Sequence, residues 1–391
     1  MSMGLSEALH ETMMLFQPQP EQHLHMEQKA GGPPELGTGN PIPNGIVQLD
    51  NGNLEFTMYA PGAYSVEVKI GKTHILKLKQ DAEVFRLETQ PFSFKGPVLV
   101  EFRINGIAVL HPYAPICYSN QRLQNYYEAS DPEITELICK ADIPHGTIHK
   151  ELYESKVLQR WVRCFVYTPP CYDYTKQYPV LYLQHGAGEN ETAWVIQGKV
   201  AYLMDALLAK NEIKPFIVVM NDGMLKLEEE KTIIDSFNGL SMVITEDCRN
   251  MIEAKYAVSS KKADRAIAGL SLGSMFATYC GCTYPKLFGS IGIFSGFIRR
   301  RDHYPAYEDN PYLENLQKEL KQHQFQLLFR SMGDQDLHFH EFLEDDSYLQ
   351  DFHVNELASY HRVVYRGYSH EWACWRRTFC DFARLLFRSD I

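Results

Sequence analysis

The residues with the clearest chemical potential form a G-x-S-x-G turn at positions 269–273. A short apolar run, Ala266 to Ala268, precedes the turn, and a segment of helical composition follows it. A strand, a sharp turn and a helix in this order hold a serine in a strained conformation that exposes its hydroxyl, and the flanking glycines let strand and helix pass closely. We therefore predict that Ser271 is a nucleophile. The alternative, a serine that only caps the first turn of its own helix, is disfavoured by the preceding strand.

A serine nucleophile needs a base and a carboxylate, and candidates for both follow predicted strands later in the chain. Asp334 and Asp336 come after the strand that ends at Arg330, and His370 comes after the last strand, which ends at Tyr365. A neutral imidazole takes the proton of the serine hydroxyl, and a buried carboxylate keeps that imidazole in the required tautomer. The order Ser, Asp, His is that of α/β-hydrolases. We predict His370 as the general base and Asp336 as the acid, with Asp334 as the alternative acid.

A glycine-rich run from His185 to Gly188 follows the predicted strand 180–184. Glycines let backbone N–H groups face an oxyanion, and the usual second donor is the N–H of the residue after the nucleophile. The predicted positions are Leu272 and Ala187 for the oxyanion donors, and Gly188, Trp194 and Trp372 for substrate contacts. His185, His338 and His340 lack a third ligand at a metal-binding spacing, so we predict no metal site and expect no cofactor.

The elements that must position these residues alternate as strands and helices from about residue 146 onward. Apolar runs predict strands at 162–167, 180–184, 216–220, 266–268, 290–294, 326–330 and 362–365, several of them typical of strands buried on both faces of a parallel sheet. Helical spacing or composition predicts helices at 200–209, 242–256, 274–283, 312–321 and 372–386. The predicted fold class is a doubly wound α/β sheet of the α/β-hydrolase type, with reactive groups at the carboxyl ends of its strands.

The region before this sheet alternates apolar and polar residues in short runs between Ile46 and Tyr113, which predicts a small all-β sandwich. The strings Y-A-P-G-A at 59–63, V-E-F-R-I-N-G at 100–106 and H-P-Y at 111–113 resemble the immunoglobulin-like early-set domain that precedes many α-glucan and esterase catalytic domains. That module sometimes binds carbohydrate, but a structural or site-covering role is favoured here. The predicted organisation is a poorly ordered lead-in at 1–45, the sandwich at 46–118, a linker at 119–145 and the catalytic domain at 146–391.

The second half of the chain, at about 145–387, resembles a family of esterases. The resemblance is carried by Y-T-P-P at 167–170, Y-P-V-L-Y-L-Q-H-G at 178–186, R-A-I-A-G-L-S at 265–271, F-S-G at 294–296 and H-E-W at 370–372. The family includes feruloyl esterases, enterobactin esterases, S-formylglutathione hydrolases and mycolyltransferases. By this resemblance Ser271 and His370 fall on the family's nucleophile and base, Asp336 on its acid, and Ala187 and Leu272 on its oxyanion donors.

The net charge, the cysteine spacing and the N-terminal residues limit the binding partners and the cellular compartment that we expect for this protein. A net charge of −11 over 391 residues disfavours nucleic acid and anionic membrane as partners, because phosphate binding needs clustered cations. The nine cysteines show no C-x-x-C spacing, the first Lys or Arg is Lys29, and no basic n-region with a long apolar core is present. We therefore predict a cytoplasmic protein whose partner is a small-molecule ester substrate, with no nucleic acid and no membrane, and with homo-oligomerisation left open.

Two segments are expected to cover the site because each follows a sheet strand: 224–239 and 297–312. The aromatic residues of the second, beside the cationic run 299–301, favour an aromatic acyl group over a long aliphatic chain; they are Phe297, Tyr304, Tyr307 and Tyr312. We predict a serine esterase that forms an acyl-enzyme with a small soluble ester, either hydroxycinnamoyl (feruloyl) or another aryl or sugar ester. The alternatives are an enterobactin-type siderophore esterase, a serine-dependent acyltransferase and, least favoured, a non-catalytic carbohydrate-binding protein.

Overall fold

The computed structural model of the chain describes residues 45–224, 233–298, 318–319, 321–322, 325–351, 353–354, 357 and 359–388. The chain divides into two compact units between Cys139 and Lys140. Within the described ranges the first unit is mainly β-structure, and the second combines strands with helices. The lead-in predicted at 1–45 lies outside the described residues, except for Gly45.

Two antiparallel sheets make up the first unit. Their strands are β1 (Ile46–Gln48), β2 (Leu54–Tyr59), β3 (Val66–Ile70), β4 (His74–Lys77), β5 (Lys79–Asp81), β6 (Val84–Thr89), β7 (Gly96–Ile104), β8 (Ile107–Val109), β9 (Ile116–Ser119) and β10 (Arg122–Ala129). One sheet has the order β1-β2-β6-β5, and the other has the order β4-β3-β7-β10-β9 with β8 paired to β7. Phe56 from the first sheet and Val68 and Phe102 from the second are buried in one common core. Two sheets that share a core in this way form the predicted β-sandwich.

The prediction of a linker at 119–145 is wrong, because β10 pairs with β7 and β9 and is followed by helix α1 (Pro132–Ile138). Residues 124–126 of β10 are buried in succession, so its sequence lacks the alternation that marks a half-exposed strand. Asn125 is buried within β10, although asparagine is a residue type that is more common in turns and loops than in strands. Its amide accepts a hydrogen bond from His111 N at 2.8 Å and donates to His111 O at 2.9 Å, which satisfies a buried turn.

The second unit is built on a sheet that has eight strands among the described residues. They are β11 (Thr147–Ser155), β12 (Arg160–Thr168), β13 (Val180–Gln184), β14 (Ile217–Asn221), β15 (Arg265–Leu270), β16 (Ser290–Phe294), β17 (Leu327–Gly333) and β18 (Tyr360–Tyr365). Their order is β11-β12-β14-β13-β15-β16-β17-β18. The pairs β11–β12 and β12–β14 are antiparallel, and every later pair is parallel. This is the predicted α/β-hydrolase sheet.

The described helices of the second unit connect or flank these strands. They are α2 (Ala193–Ile196), α3 (Val200–Ala209), α4 (Ile233–Met242), a π-helical turn (Val243–Cys248), α5 (Arg249–Lys255), α6 (Leu272–Thr283), α7 (Phe339–Gln350) and α8 (Trp372–Leu385). Most predicted elements agree with these bounds to within a few residues. The helix predicted at 242–256 spans the π-helical turn and α5, and the helix predicted at 312–321 lies largely outside the described residues. In the described part of the chain, no helix has the length and apolar character needed to cross a membrane.

Strand β11 and helix α7 were not predicted, because neither has a clear apolar face. β11 is an edge strand that pairs only with β12 among the described strands, and most of its side chains are exposed or half-buried. Helix α7 buries only Phe342, Asp345 and Leu349 along its twelve residues. By contrast, β13, β15, β16 and β17 are buried along their whole length, so polar groups reach the surface only beyond the strand ends. The loops at the carboxyl ends of β13, β15, β17 and β18 carry the predicted site residues.

Candidate active site

Ser271 lies at the turn between β15 and α6 with a backbone conformation of φ 51° and ψ −123°, which L-residues rarely adopt. The flanking glycines make this turn feasible. A methyl group on Gly269 would collide with the backbone of Gly273, and a methyl group on Gly273 would collide with the backbone oxygen of His185. The strained turn therefore requires β15 and α6 to pack in direct contact, which only glycines at these two positions allow, as the G-x-S-x-G pattern predicts.

Hydrogen bonds from neighbouring elements hold the turn in this conformation. Ser271 N donates to Phe294 O, at the end of β16, at 2.8 Å. The carbonyl oxygen of Ser271 accepts from Ser274 N at 2.9 Å and from the Ser274 hydroxyl at 2.6 Å. Ser274 is fully buried, and Gly296 packs so closely on its hydroxyl that no side chain would fit there. These contacts offset the strain of the serine backbone.

The hydroxyl of Ser271 lies 2.9 Å from His370 Nε2. His370 follows β18, and its Nδ1 lies 2.8 Å from Asp336 Oδ2. The second carboxylate oxygen, Asp336 Oδ1, accepts from His338 N at 2.9 Å. Burial alone would raise the pKa of Asp336, but its hydrogen bonds to His370 and to His338 N hold the pKa below its ordinary value. An ionised carboxylate therefore faces His370 Nδ1, which leaves Nε2 free to accept the serine proton.

The structure brings Asp336, and not Asp334, to the histidine. Asp334 Oδ1 instead accepts from Gly367 N at 2.7 Å and from the side chain of Gln335 at 3.2 Å. Asp334 thus ties the loop after β17 to the loop that leads to His370. The two carboxylates lie in different positions because the backbone forms a turn in which Asp336 N donates to Gly333 O. This turn directs the Asp336 side chain towards the histidine.

The predicted oxyanion donors belong to two separate segments, the start of α6 and the loop after β13. Leu272 begins α6, so its N–H has no partner within the helix, as is general for the first turn. Ala187 is exposed in the loop after β13, where Gly188 has a φ of 75° that favours glycine. This loop is anchored at Gly186 by two buried side chains, His185 and Glu189, and this role was predicted for neither of them.

His185 fixes the carbonyl side of Gly186. Its Nε2 accepts from Gly223 N at 2.7 Å, and its Nδ1 lies 2.8 Å from Gly186 O. Burial lowers the pKa of His185, whereas the hydrogen bond and charge of Asp222 raise it overall. A proton on Nε2 would nevertheless face the N–H of Gly223, so these contacts fit a neutral ring that donates from Nδ1 to Gly186 O.

Glu189 fixes the N–H side of Gly186. Glu189 Oε2 accepts from Gly186 N at 3.1 Å, and Oε1 accepts from Trp372 Nε1 at 2.9 Å and from Gln197 Nε2 at 3.2 Å. Burial raises the pKa of Glu189, although the hydrogen bonds from Gly186 N and Trp372 Nε1 oppose the rise. A carboxylate within a glycine-rich loop that also contains apolar residues is the sequence signal that could have identified this residue.

Two of the predicted substrate contacts pack inside the protein. Trp194 is only 1% exposed, and its Nε1 donates to Gln184 O at 2.9 Å, so the prediction that Trp194 contacts substrate is at odds with its burial. Trp372 is 7% exposed and packs edge-on against Trp194, with ring centroids 5.1 Å apart. Helix α2 and the start of α8 bury these rings against each other. The indole of Trp194 donates to Gln184 O at the end of β13, and that of Trp372 donates to Glu189 in the loop after β13.

Aromatic rings flank the histidine on two sides. The ring of Trp375 lies perpendicular to His370 with centroids 5.1 Å apart, and the ring of His338 lies edge-on at 5.6 Å. Phe297 in turn packs on His338, with ring centroids 5.3 Å apart. Edge-to-face contacts of this kind fix ring orientations, so the imidazole is constrained by packing as well as by Asp336.

The structure does not describe most of the residues in the two predicted cover segments. Residues 225–232 and 299–317 lie outside the described ranges, and they include the cationic run 299–301 and Tyr304, Tyr307 and Tyr312. Phe297 is described and is buried. Among the residues that the structure describes, no group of three or more His, Cys, Asp or Glu side chains could hold a metal ion.

Comparison with known proteins identifies the family to which the chain belongs. A sequence model of the family described as Putative esterase matches residues 155–386, which is more than half of the chain. The chain belongs to this family. The chain is 31% identical over 257 residues to an endo-1,4-beta-xylanase/feruloyl esterase of Xylanibacter ruminicola, and the alignment covers 63% of this chain and 35% of that relative. The chain therefore spans about a third of the length of the curated relative that it matches.

Solved structures share the fold of the esterase at low sequence identity. A mutant feruloyl esterase module from Clostridium thermocellum, complexed with sinapinate, is 20% identical with a TM-score of 0.52, covering 63% of this chain and 89% of that chain. The enterobactin esterase from Shigella flexneri, in the presence of 2,3-di-hydroxy-N-benzoyl-serine, is 15% identical with a TM-score of 0.58, covering 87% and 94%. These structures share the fold of the chain, and the family model gives its membership of the family described as Putative esterase.

Proposed function

We propose that the esterase hydrolyses its substrate through an acyl-enzyme formed on Ser271, with His370 as general base and Asp336 as its carboxylate partner. The observation that carries this proposal is the continuous set of two short contacts, 2.9 Å from Ser271 Oγ to His370 Nε2 and 2.8 Å from His370 Nδ1 to Asp336 Oδ2. These are the distances at which an imidazole can take the serine proton while a carboxylate fixes its tautomer.

The chemistry then proceeds in two halves. His370 Nε2 takes the proton as Ser271 Oγ attacks the ester carbonyl, and the negative charge on the former carbonyl oxygen is stabilised by the N–H groups of Leu272 and Ala187. The imidazolium next gives its proton to the departing alcohol, which leaves an acyl group on Ser271. A water molecule repeats the sequence with His370 as base and releases the acid. Asp336 stays ionised throughout and stabilises the imidazolium.

The proposed substrate is a small ester of a hydroxycinnamic acid, such as a feruloyl sugar, or a related aryl ester. Support comes from the relative in Xylanibacter ruminicola, whose name includes feruloyl esterase activity and which is 31% identical to this chain. The aromatic rings of His338 and Trp375 beside the base, with Phe297 packed on His338, also suit an aromatic acyl or alcohol group better than a flexible aliphatic chain.

A catechol siderophore ester is the second candidate. The observation that favours it is the extent of the likeness to the Shigella flexneri enterobactin esterase, which covers 87% of this chain, whereas the feruloyl esterase module from Clostridium thermocellum covers 63%. That wider likeness includes residues of the first unit. A 2,3-dihydroxybenzoyl-serine ester is therefore the substrate to compare with a feruloyl ester.

Steady-state assays of the wild-type protein and of Ser271→Ala test the proposal. The wild type should hydrolyse methyl ferulate with a kcat/KM at least about tenfold above that for p-nitrophenyl octanoate, equal to ~1.4 kcal/mol of transition-state binding. Ser271→Ala should lose hydrolysis while its thermal unfolding is unchanged, because only the covalent step is removed. Near wild-type turnover in that variant would refute the mechanism, and a preference for the octanoate would refute the aryl substrate.

The same assay includes the 2,3-dihydroxybenzoyl-serine ester and an added alcohol acceptor. A higher kcat/KM for the siderophore ester than for methyl ferulate would favour the second candidate. Transfer of the acyl group to the alcohol in place of water would show an acyltransferase that uses the same acyl-enzyme.

A further inference from the structure

We infer that Glu189 is a positioning residue for the oxyanion hole and joins the oxyanion loop to the helix that follows the general base. The inference rests on the proposed function, because it concerns the N–H of Ala187 as a donor to the oxyanion. It concerns a residue that does not touch the reacting atoms. Glu189 acts through Gly186, and its partners come from three separate segments of the second unit.

Both polar groups of Gly186 are held by buried side chains. Its N–H donates to Glu189 Oε2 at 3.1 Å, and its carbonyl oxygen accepts from His185 Nδ1 at 2.8 Å. The carbonyl of Gly186 and the N–H of Ala187 belong to one planar peptide unit and point in opposite directions. Because His185 holds that carbonyl inward, the N–H of Ala187 is aimed the other way. Glu189 fixes the preceding peptide unit, so the Ala187 N–H cannot rotate by a change of the Gly186 backbone.

The other carboxylate oxygen of Glu189 reaches the helix that begins two residues after the base. Glu189 Oε1 accepts from Trp372 Nε1 at 2.9 Å and from Gln197 Nε2 at 3.2 Å. Gln197 is in turn bound to the same helix, because its carbonyl oxygen accepts from Arg376 Nε at 2.7 Å. The start of α8, the end of α2 and the oxyanion loop are thus joined through one carboxylate.

A purely structural role would be better served by an apolar side chain. Glu189 is 7% exposed, and burying a carboxylate is unfavourable unless every nearby donor is matched to it. Three N–H donors converge on its two oxygens, and one of them is the backbone N–H of Gly186. A carboxylate accepts all three at once, whereas an amide must present its own N–H group to at least one of these donors.

The test compares Glu189→Gln with Glu191→Gln in the full-length protein. Glutamine has the size of glutamate, so the variant should fold, but its amide N–H would oppose either Gly186 N or the donors at Oε1. Glu191 lies in the same loop, is also buried, and is bound by Arg163 at 2.6 Å, with Gly186 N held by Glu189 instead. It therefore controls for loss of a buried charge near the site.

We expect Glu189→Gln to lower kcat for p-nitrophenyl acetate by about ten- to a hundredfold with KM within about threefold, because a misaligned oxyanion donor weakens the transition state and not the ground state. The affinity for an aryl boronic acid, which mimics the tetrahedral intermediate, should fall by a similar factor. Trp372→Phe, which removes one donor to Oε1, should give a smaller loss of the same kind. Glu191→Gln should stay within about threefold of wild type in kcat.

Two results would overturn the inference while leaving the proposed function intact. One is a wild-type kcat in Glu189→Gln. The other is a loss of kcat with unchanged boronic acid affinity and a lowered unfolding temperature, which would mark a structural role only. Failure of the proposed function is a different result, in which Ser271→Ala hydrolyses the ester as fast as the wild type, and it would overturn both.

Discussion

Replacing Asp336 by asparagine tests how the protein selects the tautomer of His370, and the structure predicts the orientation of the new amide. In the wild type, Asp336 Oδ1 accepts from His338 N at 2.9 Å, while Oδ2 faces His370 Nδ1 at 2.8 Å. The backbone N–H of His338 can only donate, so the carbonyl oxygen of the new asparagine must take the place of Oδ1. Its NH2 group then faces His370 Nδ1 and donates to it.

This orientation reverses the role of the imidazole. With Nδ1 accepting a proton from the amide, the ring carries its own proton on Nε2, which points at Ser271 Oγ and cannot accept the serine proton. We therefore expect kcat for p-nitrophenyl acetate to fall by about three to four decades, or about 4–5.5 kcal/mol of transition-state stabilisation. KM should change little, because the carboxylate makes no contact with the ester in this mechanism.

Asp334→Asn is the matched control, since it makes the same chemical change two residues away. Asp334 Oδ1 accepts from Gly367 N, a contact that an asparagine carbonyl can keep, so we expect less than a tenfold loss of kcat. Stopped-flow and steady-state assays near neutral pH measure both variants. A loss of less than tenfold in Asp336→Asn, or a larger loss in Asp334→Asn, would falsify the tautomer argument.

Two further predictions concern stability. Gly273→Ala should lower the free energy of unfolding by about 1–3 kcal/mol in urea titrations, although alanine is the better helix former, because the methyl group would collide with His185 O; an unchanged midpoint would contradict this. Burial lowers the pKa of His111 from 6.5 to about 4, so the unfolded chain binds the proton first. The free energy of unfolding of the first unit should fall by up to about 3 kcal/mol as pH drops from 6.5 towards 4. Hydrogen exchange measured across this pH range should show a smaller fall in His111→Gln than in the wild type.

The sequence was sufficient to predict where the candidate nucleophile and base lie, because local signals determine both. The glycines around Ser271 are required by contacts between strand and helix at the turn itself, and such close passage leaves few other residue types. His370 follows the last strand of a parallel sheet, and the carboxyl ends of such strands meet at one edge. Alternation of strands and helices therefore brought residues that are 99 positions apart to hydrogen-bond distance.

Features that depend on packing between distant segments could not be predicted. Asp334 and Asp336 follow the same strand, and the turn from Asp336 N to Gly333 O decides which carboxylate faces the histidine. Trp194 is predicted to contact substrate, but it is buried among aromatic rings from other segments, including that of Trp372. The partners of Glu189 come from the oxyanion loop, the end of α2 and the start of α8, so its place in the glycine-rich loop marks it as a candidate but no local pattern gives its role.

The candidate base and the candidate oxyanion loop both contact helix α8, and in the proposed mechanism this has consequences for how the site tolerates change. Trp372, two residues after His370, donates to Glu189, and the other oxygen of Glu189 holds Gly186. A displacement at the start of α8 would therefore disturb proton transfer and oxyanion stabilisation together. His338, in contrast, packs against the ring of His370 from the loop after β17, and Phe297, in the loop after β16, packs on His338. Phe297 is buried, so a substitution there would reach His370 through the ring of His338.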